Sequence, residues 1–320
     1  MSNAVRKAQA LLYRGEIARA ATYLKQAESS GDASAARELG LWCLAGQAFR
    51  RDLTASRSYF ERAAELGDRK SASILRAFVA AGIGAPRDWG LAMHMLRAAA
   101  PVDLEAAAQS ALIGSMDLDF TGTPRLSFEA QLLSEDPSVQ LFPRLFSQAE
   151  CAYLVGVSAP ALRPSVVVDP DTGRQVPNPI RTSSATSFPF IDENPAIHAL
   201  NRRLAAASGT DVRSGEPLQV LHYALGQEYR QHSDALPLIA PDQQRVLTFL
   251  VYLNDDYDGG ETRFPAANLN VRGRTGDGLL FRNVARSGEP DQRSVHAGLP
   301  VTRGVKHLAS RWIRATPLKL

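Results

Sequence analysis

The composition of this chain indicates an ordinary folded protein without a specialised charge or disulfide pattern. It has 320 residues, of which 45% are hydrophobic and 22% are charged, and its net charge is +3. That length allows one large domain or two ordinary domains. The weak net charge disfavours a dedicated nucleic-acid binder. The two cysteines form no Cys-x-x-Cys pair, which excludes a cysteine zinc site and disfavours a disulfide framework.

The sequence predicts no membrane or secretory segment. The first ten residues lack the apolar core of a signal peptide, and no apolar run reaches the length of a membrane span. We therefore expect a cytoplasmic protein that binds neither membranes nor nucleic acid.

Residues 1–115 favour helices, because they are rich in Ala, Leu, Arg and Glu and poor in β-branched residues. The segment repeats with a period of 36 residues, and the recurring residues are Gly31-Asp32 as Gly67-Asp68, Gly46 as Gly82, and Arg51-Asp52 as Arg87-Asp88. Such a period is typical of a helix-turn-helix solenoid. We expect earlier helices near 4–12 and 16–29 and a capping helix at 104–114. The array either binds a peptide or partner protein or only braces the fold, and the sequence leaves both open.

A second domain is predicted from residue 137 to residue 320. Residues 116–136 mix Gly, Pro, Ser, Thr and acidic residues, which is typical of a linker. A strand is expected near Val139–Phe142, followed by a helix that Ser147 and Glu150 would cap.

Two later segments predict a β-rich structure for this domain. Residues 163–179 change from strand-forming residues to Asp, Gly and Pro, which predicts a mobile hairpin that could act as a lid. From residue 216 onward, short apolar strands alternate with turns. Leu247–Leu253 is apolar on both faces, as expected for a buried strand of a barrel.

Two histidines and one carboxylate in this domain predict a metal site. The side chains of His232 and Asp234 share a face if their segment is extended. His296 lies 64 residues after His232 and would come from a neighbouring strand. Two histidines and one carboxylate with open coordination positions are the ligands of non-haem Fe(II) oxygenases. Lys306, ten residues after His296, is a cation that could hold the far carboxylate of 2-oxoglutarate.

Further motifs surround these residues. In chain order they are Gln244-Arg245-Val-Leu-Thr-Phe-Leu-Val-Tyr-Leu-Asn254, Gly259-Gly260-Glu261-Thr262-Arg263-Phe264-Pro265, Gly276-Asp277-Gly278-Leu-Leu-Phe281-Arg-Asn283 and Arg311-Trp312-Ile-Arg314. With the histidine segments they resemble the catalytic domain of the 2-oxoglutarate/Fe(II)-dependent prolyl 4-hydroxylases over residues 137–320. The N-terminal helices resemble Sel1-like repeats. The resemblance implies an α+β multidomain protein, in which a helical repeat solenoid precedes a double-stranded β-helix (jelly-roll) oxygenase domain.

The resemblance also implies roles for single residues. The implied Fe(II) ligands are His232, Asp234 and His296. The residues implied to hold the distal carboxylate of 2-oxoglutarate are Lys306, Tyr223 and Thr262. The residues implied to contact a peptidyl proline are Arg181, Ser183, Glu216, Tyr229, Arg245 and Trp312. Position 314 departs from the family, because relatives often have His where this chain has Arg.

The implied reaction couples the decarboxylation of 2-oxoglutarate to succinate with the hydroxylation of a C–H bond by O2, and ascorbate would assist it. The expected substrate is a proline-containing peptide or protein. Two alternatives stay open. One is the same chemistry on a lysyl side chain, a free amino acid or a natural-product intermediate. The other is an oxygen- or iron-sensing adaptor built on the repeats.

Overall fold

The structure, a computed structural model, describes residues 2–46, 48–125, 127–168, 175–177, 180–237 and 239–319. The chain forms two compact units. The first unit comprises Met1–Thr123 and Phe190–Ala199, and the second comprises Pro124–Pro189 and Leu200–Leu320.

The first unit is built from helices. Its described helices are α1 (Asn3–Tyr13), α2 (Ile17–Ser29), α3 (Ala33–Ala45), α4 (Leu53–Glu65), α5 (Arg69–Ala81), α6 (Trp89–Ala99) and α7 (Leu104–Gly114). They confirm the helices predicted near 4–12, 16–29 and 104–114. No helix in the described part of the chain combines the length and apolarity needed to cross a bilayer.

Six of the residues that repeat in the sequence are helix caps. The first turns of α3, α4, α5 and α6 donate N–H hydrogen bonds to the carboxylates of Asp32, Asp52, Asp68 and Asp88, respectively. Gly46 and Gly82 end α3 and α5 with φ angles of 71° and 80°, where a side chain would be strained. One such N-cap is worth about 1 kcal/mol. The period of 36 residues therefore reflects repeated helix starts and stops.

Small residues let neighbouring helices of this unit approach closely. A Cβ atom added to Gly40 of α3 would lie 3.0 Å from the ring of Phe60 on α4. Phe60 packs edge-on against Phe78 of α5, with 5.5 Å between the ring centroids. Both rings are fully buried, and burial of one such ring contributes about 3 kcal/mol.

The second unit is mainly antiparallel sheet. Its strands begin with β1 (Gln131–Ser134), β2 (Val139–Phe142), β3 (Arg163–Pro164), β4 (Val166–Val168), β5 (Gln175–Pro177), β6 (Ser184–Phe188), β7 (Leu218–Tyr223) and β8 (Tyr229–His232). They continue with β9 (Arg245–Tyr252), β10 (Asp258–Gly259), β11 (Thr262–Phe264), β12 (Leu269–Val271), β13 (Gly278–Arg282), β14 (His296–Gly298), β15 (Val301–Arg303) and β16 (Lys306–Arg314). Two helices accompany them, α8 (Gln148–Ser158) and α9 (Pro195–Ser208), and residues 195–199 of α9 belong to the first unit.

Two larger sheets carry the site. An eight-stranded sheet has the order β1-β2-β13-β9-β16-β7-β6-β3, and a four-stranded sheet has the order β12-β11-β14-β8. Buried side chains from both sheets join in one core, including Tyr252 of β9, Phe264 of β11 and Phe281 of β13. This packing of two antiparallel sheets confirms the predicted jelly-roll class.

The first strands and the first helix of the second unit agree with most of the local predictions. The strand at Val139–Phe142 is confirmed, and Ser147 and Glu150 form a complete capping box at the start of α8. The segment predicted as a linker contains β1 at its end, because Gln131–Ser134 pairs with β2. Strands β4 and β5 form the predicted hairpin, whereas the predicted mobility of its tip falls on residues 169–174, outside the described residues.

Candidate active site

Two paired strands bring the predicted metal ligands together. His232 is the last residue of β8, His296 is the first residue of β14, and the two residues are partners in the antiparallel ladder. Asp234 follows β8 and is not in a strand, so its position does not depend on the strand alternation that predicted it. The Nε2 atoms of both histidines lie 3.6 Å from the Asp234 carboxylate, each from a different oxygen. The three ligand atoms lie within 4.8 Å of one another.

Backbone carbonyls orient both imidazole rings. Nδ1 of His232 lies 2.8 Å from the Arg230 carbonyl oxygen, and Nδ1 of His296 lies 3.1 Å from the Ser294 carbonyl oxygen. A carbonyl oxygen only accepts hydrogen bonds, so each Nδ1 carries the proton and each Nε2 keeps its lone pair toward Asp234. The donor set therefore fits a divalent metal that takes two nitrogens and one oxygen.

The protonation states favour metal binding as well. Burial lowers the pKa of His232 to about 4, and the neighbouring His296 acts in the same direction. Burial raises the pKa of Asp234, but both histidines and the Thr248 hydroxyl outweigh this effect and hold that pKa below its usual value. Near neutral pH, His232 is thus a neutral ligand and Asp234 is ionised.

Two residues that the sequence analysis did not identify hold the carboxylate. The Thr248 hydroxyl donates to Oδ2 of Asp234 at 2.7 Å, and the Asn283 amide donates to the Thr248 oxygen at 2.9 Å. All three side chains are buried. The hydroxyl of Thr248 within the mainly apolar segment Leu247–Leu253 was the available signal, because a buried hydroxyl needs a partner.

Aromatic rings surround the histidines. The Tyr229 ring stacks on the His232 ring with 3.4 Å between centroids and 11° between planes. The Phe264 and Phe281 ring centroids lie 5.6 Å and 4.5 Å from that of His296. These rings keep water away from the ligand atoms.

Lys306 is a buried cation in the same pocket. Its ammonium donates to the Gly260 carbonyl oxygen at 2.7 Å and lies 5.5 Å from the ring centroids of both Tyr223 and Tyr252. No ion pair joins it to a carboxylate in the described part of the chain. Burial lowers its pKa to about 8, against the opposing effect of Glu261. A buried ammonium with no countercharge is suited to receive an anion.

One pocket contains most of the predicted site residues. The predicted residues that line it are Arg181, Tyr223, Tyr229, His232, Asp234, Thr262, His296, Lys306 and Trp312. Three others, Ser183, Glu216 and Arg245, are not among its lining residues. Ser183 is fully buried behind Arg181, whose Nε donates to its hydroxyl at 3.3 Å. The other two residues form an ion pair with each other.

The chain is similar in sequence to known prolyl 4-hydroxylases. Residues 218–314 match the family model of the 2OG-Fe(II) oxygenase superfamily. Over 201 residues the chain is 34% identical to prolyl 4-hydroxylase 1 of Arabidopsis thaliana, covering 58% of this chain and 71% of that protein. It is also 34% identical over 212 residues to probable prolyl 4-hydroxylase 3 of the same plant, with coverages of 59% and 74%.

Solved structures give weaker likenesses. A viral collagen prolyl hydroxylase from Paramecium Bursaria Chlorella virus-1 aligns with a TM-score of 0.45 and 26% identity, covering 56% of this chain and 96% of that one. A Sel1 repeat protein from Oxalobacter formigenes aligns with a TM-score of 0.30 and 26% identity, covering 34% and 85%. The sequence relatives therefore carry the assignment. The chain belongs to the prolyl 4-hydroxylase family of 2OG-Fe(II) oxygenases, dioxygenases that use Fe(II), 2-oxoglutarate and O2.

Proposed function

We propose that this protein hydroxylates a proline residue within a peptide or protein and that it consumes 2-oxoglutarate and O2. One observation carries the proposal: a His-Asp-His cluster and a buried lysine without a countercharge line a single pocket. The named relatives are prolyl 4-hydroxylases, and their activity is extended here to this chain.

The three clustered ligands would hold Fe(II). His232 and His296 would bind through Nε2, and Asp234 would bind through its carboxylate. The iron, when bound, supplies the activation of O2 that is coupled to the decarboxylation of 2-oxoglutarate to succinate. The protein's own contribution is to fix the ligand geometry and to exclude water from it. Ascorbate would restore iron that becomes oxidised without substrate turnover.

Lys306 would bind the distal carboxylate of 2-oxoglutarate. Its ammonium now donates to the Gly260 carbonyl oxygen. On binding, it would donate to a carboxylate oxygen of 2-oxoglutarate, either instead of that carbonyl or in addition to it. The Thr262 hydroxyl lies in the same pocket and already contacts the Tyr252 hydroxyl at 3.0 Å. Tyr223, directly opposite Lys306 in the β7–β16 ladder, would add a third polar group. Two hydroxyls and one ammonium suit a carboxylate.

The remaining pocket wall suits a proline ring and its peptide bonds. Tyr229 and Trp312 offer flat apolar faces, and an unhydroxylated pyrrolidine ring has no polar group to satisfy. Arg181, with its guanidinium carbon 5.5 Å from the Tyr229 ring centroid, lies where it could donate to a peptide carbonyl. A free amino acid would leave these donors and faces partly unused.

We also propose that the helical unit recruits the protein substrate. It contains a cavity of about 780 Å³ lined by residues of α5 and α7 and by residues 191–194 of the same unit. Val102 and Leu104 on its rim are 71% and 89% exposed. Exposed apolar residues beside a cavity are a common feature of binding surfaces. Leu104→Glu would then weaken turnover of a protein substrate but not of a short proline peptide.

The direct test is succinate release by the Fe(II)-loaded protein, with and without proline-rich peptides. The proposal predicts slow release alone and faster release when a peptide substrate is present. Release that no peptide stimulates would keep the oxygenase and redirect the search to lysyl or small-molecule substrates. Absence of turnover with iron bound would favour a sensing adaptor.

A further inference from the structure

Beside the pocket, two arginines stand directly opposite each other on neighbouring strands. Arg245 begins β9 and Arg314 ends β16, and the two residues are partners in the antiparallel ladder. Like charges in such cross-strand positions repel each other and destabilise the sheet. Glu216 lies between them. Its carboxylate accepts hydrogen bonds from Nε of Arg314 and from Nε and Nη2 of Arg245, the latter two at 2.7 and 2.8 Å.

The charges of this cluster do not balance. One carboxylate faces two guanidinium groups, so the three side chains together carry one uncompensated positive charge. The side chains of Arg245, Arg314 and Glu216 are 18%, 17% and 13% exposed. The charge is therefore partly shielded from water but can be reached from outside. Within the described residues, Nη1 of Arg245 and Nη2 of Arg314 donate no hydrogen bond.

The cluster is coupled to the pocket through Trp312. The guanidinium carbon of Arg245 lies 3.8 Å from the centroid of the Trp312 ring, and Trp312 lines the pocket. Arg245 also lowers the pKa of Tyr229 by its charge, although burial leaves that pKa raised overall. The uncompensated charge is thus next to the two aromatic residues that would flank a bound proline.

We propose that the Arg245–Arg314 pair makes the enzyme select peptides that present a carboxylate next to the target proline. The inference rests on the proposed function and adds a substrate class to it. The carboxylate would come from an acidic side chain or from a free C-terminus, and either would receive the unused N–H groups of the two guanidiniums. The excess positive charge comes from Arg314, because without Arg314 the Glu216 carboxylate would neutralise Arg245.

The test compares matched proline peptides that differ only in the residue beside the target proline. One series carries Asp, Asn or Lys with an amidated C-terminus, and a second series ends just after the proline as a free acid or an amide. Charge-assisted hydrogen bonds predict a kcat/KM about tenfold higher for the carboxylate peptide than for its neutral match. Added salt should reduce this ratio, since the charges are partly exposed. The series that shows the preference identifies the source of the carboxylate.

Variants separate this account from a purely structural role. Arg314→Gln should bring the acidic-to-neutral ratio close to one, whereas Glu216→Gln, which leaves two arginines without their carboxylate, should increase it. A merely structural cluster would move the ratio little, or in the same direction, in both variants. Arg263→Gln removes an exposed arginine from β11 and should keep the wild-type ratio.

Two results overturn the inference, and both differ from failure of the proposed function. Neutral peptides that are used as well as acidic ones by the wild-type enzyme would exclude carboxylate selection while keeping prolyl hydroxylation. If Arg314→Gln kept the wild-type ratio of kcat/KM for acidic and neutral peptides, Arg314 would not be the source of the preference. Succinate release without peptide shows that each variant is folded. If no peptide of any charge stimulated that release, the proposed function itself would fail.

Discussion

The Thr248 hydroxyl donates a hydrogen bond of 2.7 Å to the Asp234 carboxylate, and this contact fixes how that ligand faces the two histidines. It occupies Oδ2, the oxygen nearer to His296, while Oδ1 faces His232. Asn283 in turn holds the Thr248 oxygen. The orientation of the carboxylate is therefore determined by residues of β9 and of the segment after β13.

Thr248→Val should weaken Fe(II) binding about tenfold, because a group that orients a metal ligand contributes to affinity on that scale. The substitution keeps the shape of the side chain and removes the hydroxyl, which donates to Asp234 and accepts from Asn283. Titration with Fe(II) under anaerobic conditions, or with Co(II) as a spectroscopic substitute, measures the effect. Thr248→Ser keeps a hydroxyl and should bind nearly as well as the wild type. Equal affinities in all three proteins would show that Asp234 needs no support from Thr248.

His232→Ala should abolish metal binding and turnover together, since it removes one of three protein ligands. The matched control is His222→Ala. His222 is a partly buried histidine of β7 that does not line the pocket. Its ring centroid lies 5.1 Å from that of His307. Its loss should leave the metal affinity unchanged. If both variants lost the metal equally, the ligand set would be wrong.

Lys306→Ala should raise the KM for 2-oxoglutarate by about thirtyfold or more, because loss of one partner of a buried charge pair costs at least about 2 kcal/mol. Iron affinity should stay the same, since Lys306 contacts none of the three ligands. Lys319→Ala removes an exposed lysine and serves as the control. If Lys306→Ala left the KM for 2-oxoglutarate unaltered, the cosubstrate would bind elsewhere.

The affinity for 2-oxoglutarate should fall as the pH rises through about 8. Burial lowers the pKa of Lys306 to about 8 in the free protein. The side chain therefore carries its positive charge below that pH and loses it above. A bound carboxylate favours the charged form and raises this pKa, so binding takes up a proton above pH 8. Glu261 and the hydroxyls of Tyr223 and Tyr252 are the other titratable groups nearby. Calorimetry in buffers of different ionisation enthalpy would detect the uptake, and Lys306→Ala should remove it.

Features that depend on local sequence were predictable. Helix caps recur at a fixed period because each is set by a few neighbouring residues, as Asp32 and Asp68 illustrate. The pairing of His232 with His296 was expected in outline, because a long gap between ligands implies a neighbouring strand. The family resemblance then supplied the order of the remaining blocks.

Features that depend on the register of distant strands were not predictable. Arg245 and Arg314 become neighbours only through the pairing of β9 with β16, and Glu216 reaches them from before β7. The family resemblance implies that Glu216 and Arg245 contact the substrate. It gives no sign that the two side chains form an ion pair with each other outside the lining of the pocket. Likewise, the contact from Asn283 to Thr248 joins the segment after β13 to β9, and these two strands pair only in the folded sheet.

The most direct measurement is mass spectrometry of a proline peptide after turnover under isotopically labelled O2. The account predicts that the peptide gains one labelled oxygen atom, that fragmentation places it on proline, and that the amount of modified peptide matches the succinate formed. A peptide that stays unmodified while succinate forms at an unchanged rate would contradict prolyl hydroxylation, and labelled oxygen on another residue would identify a different substrate.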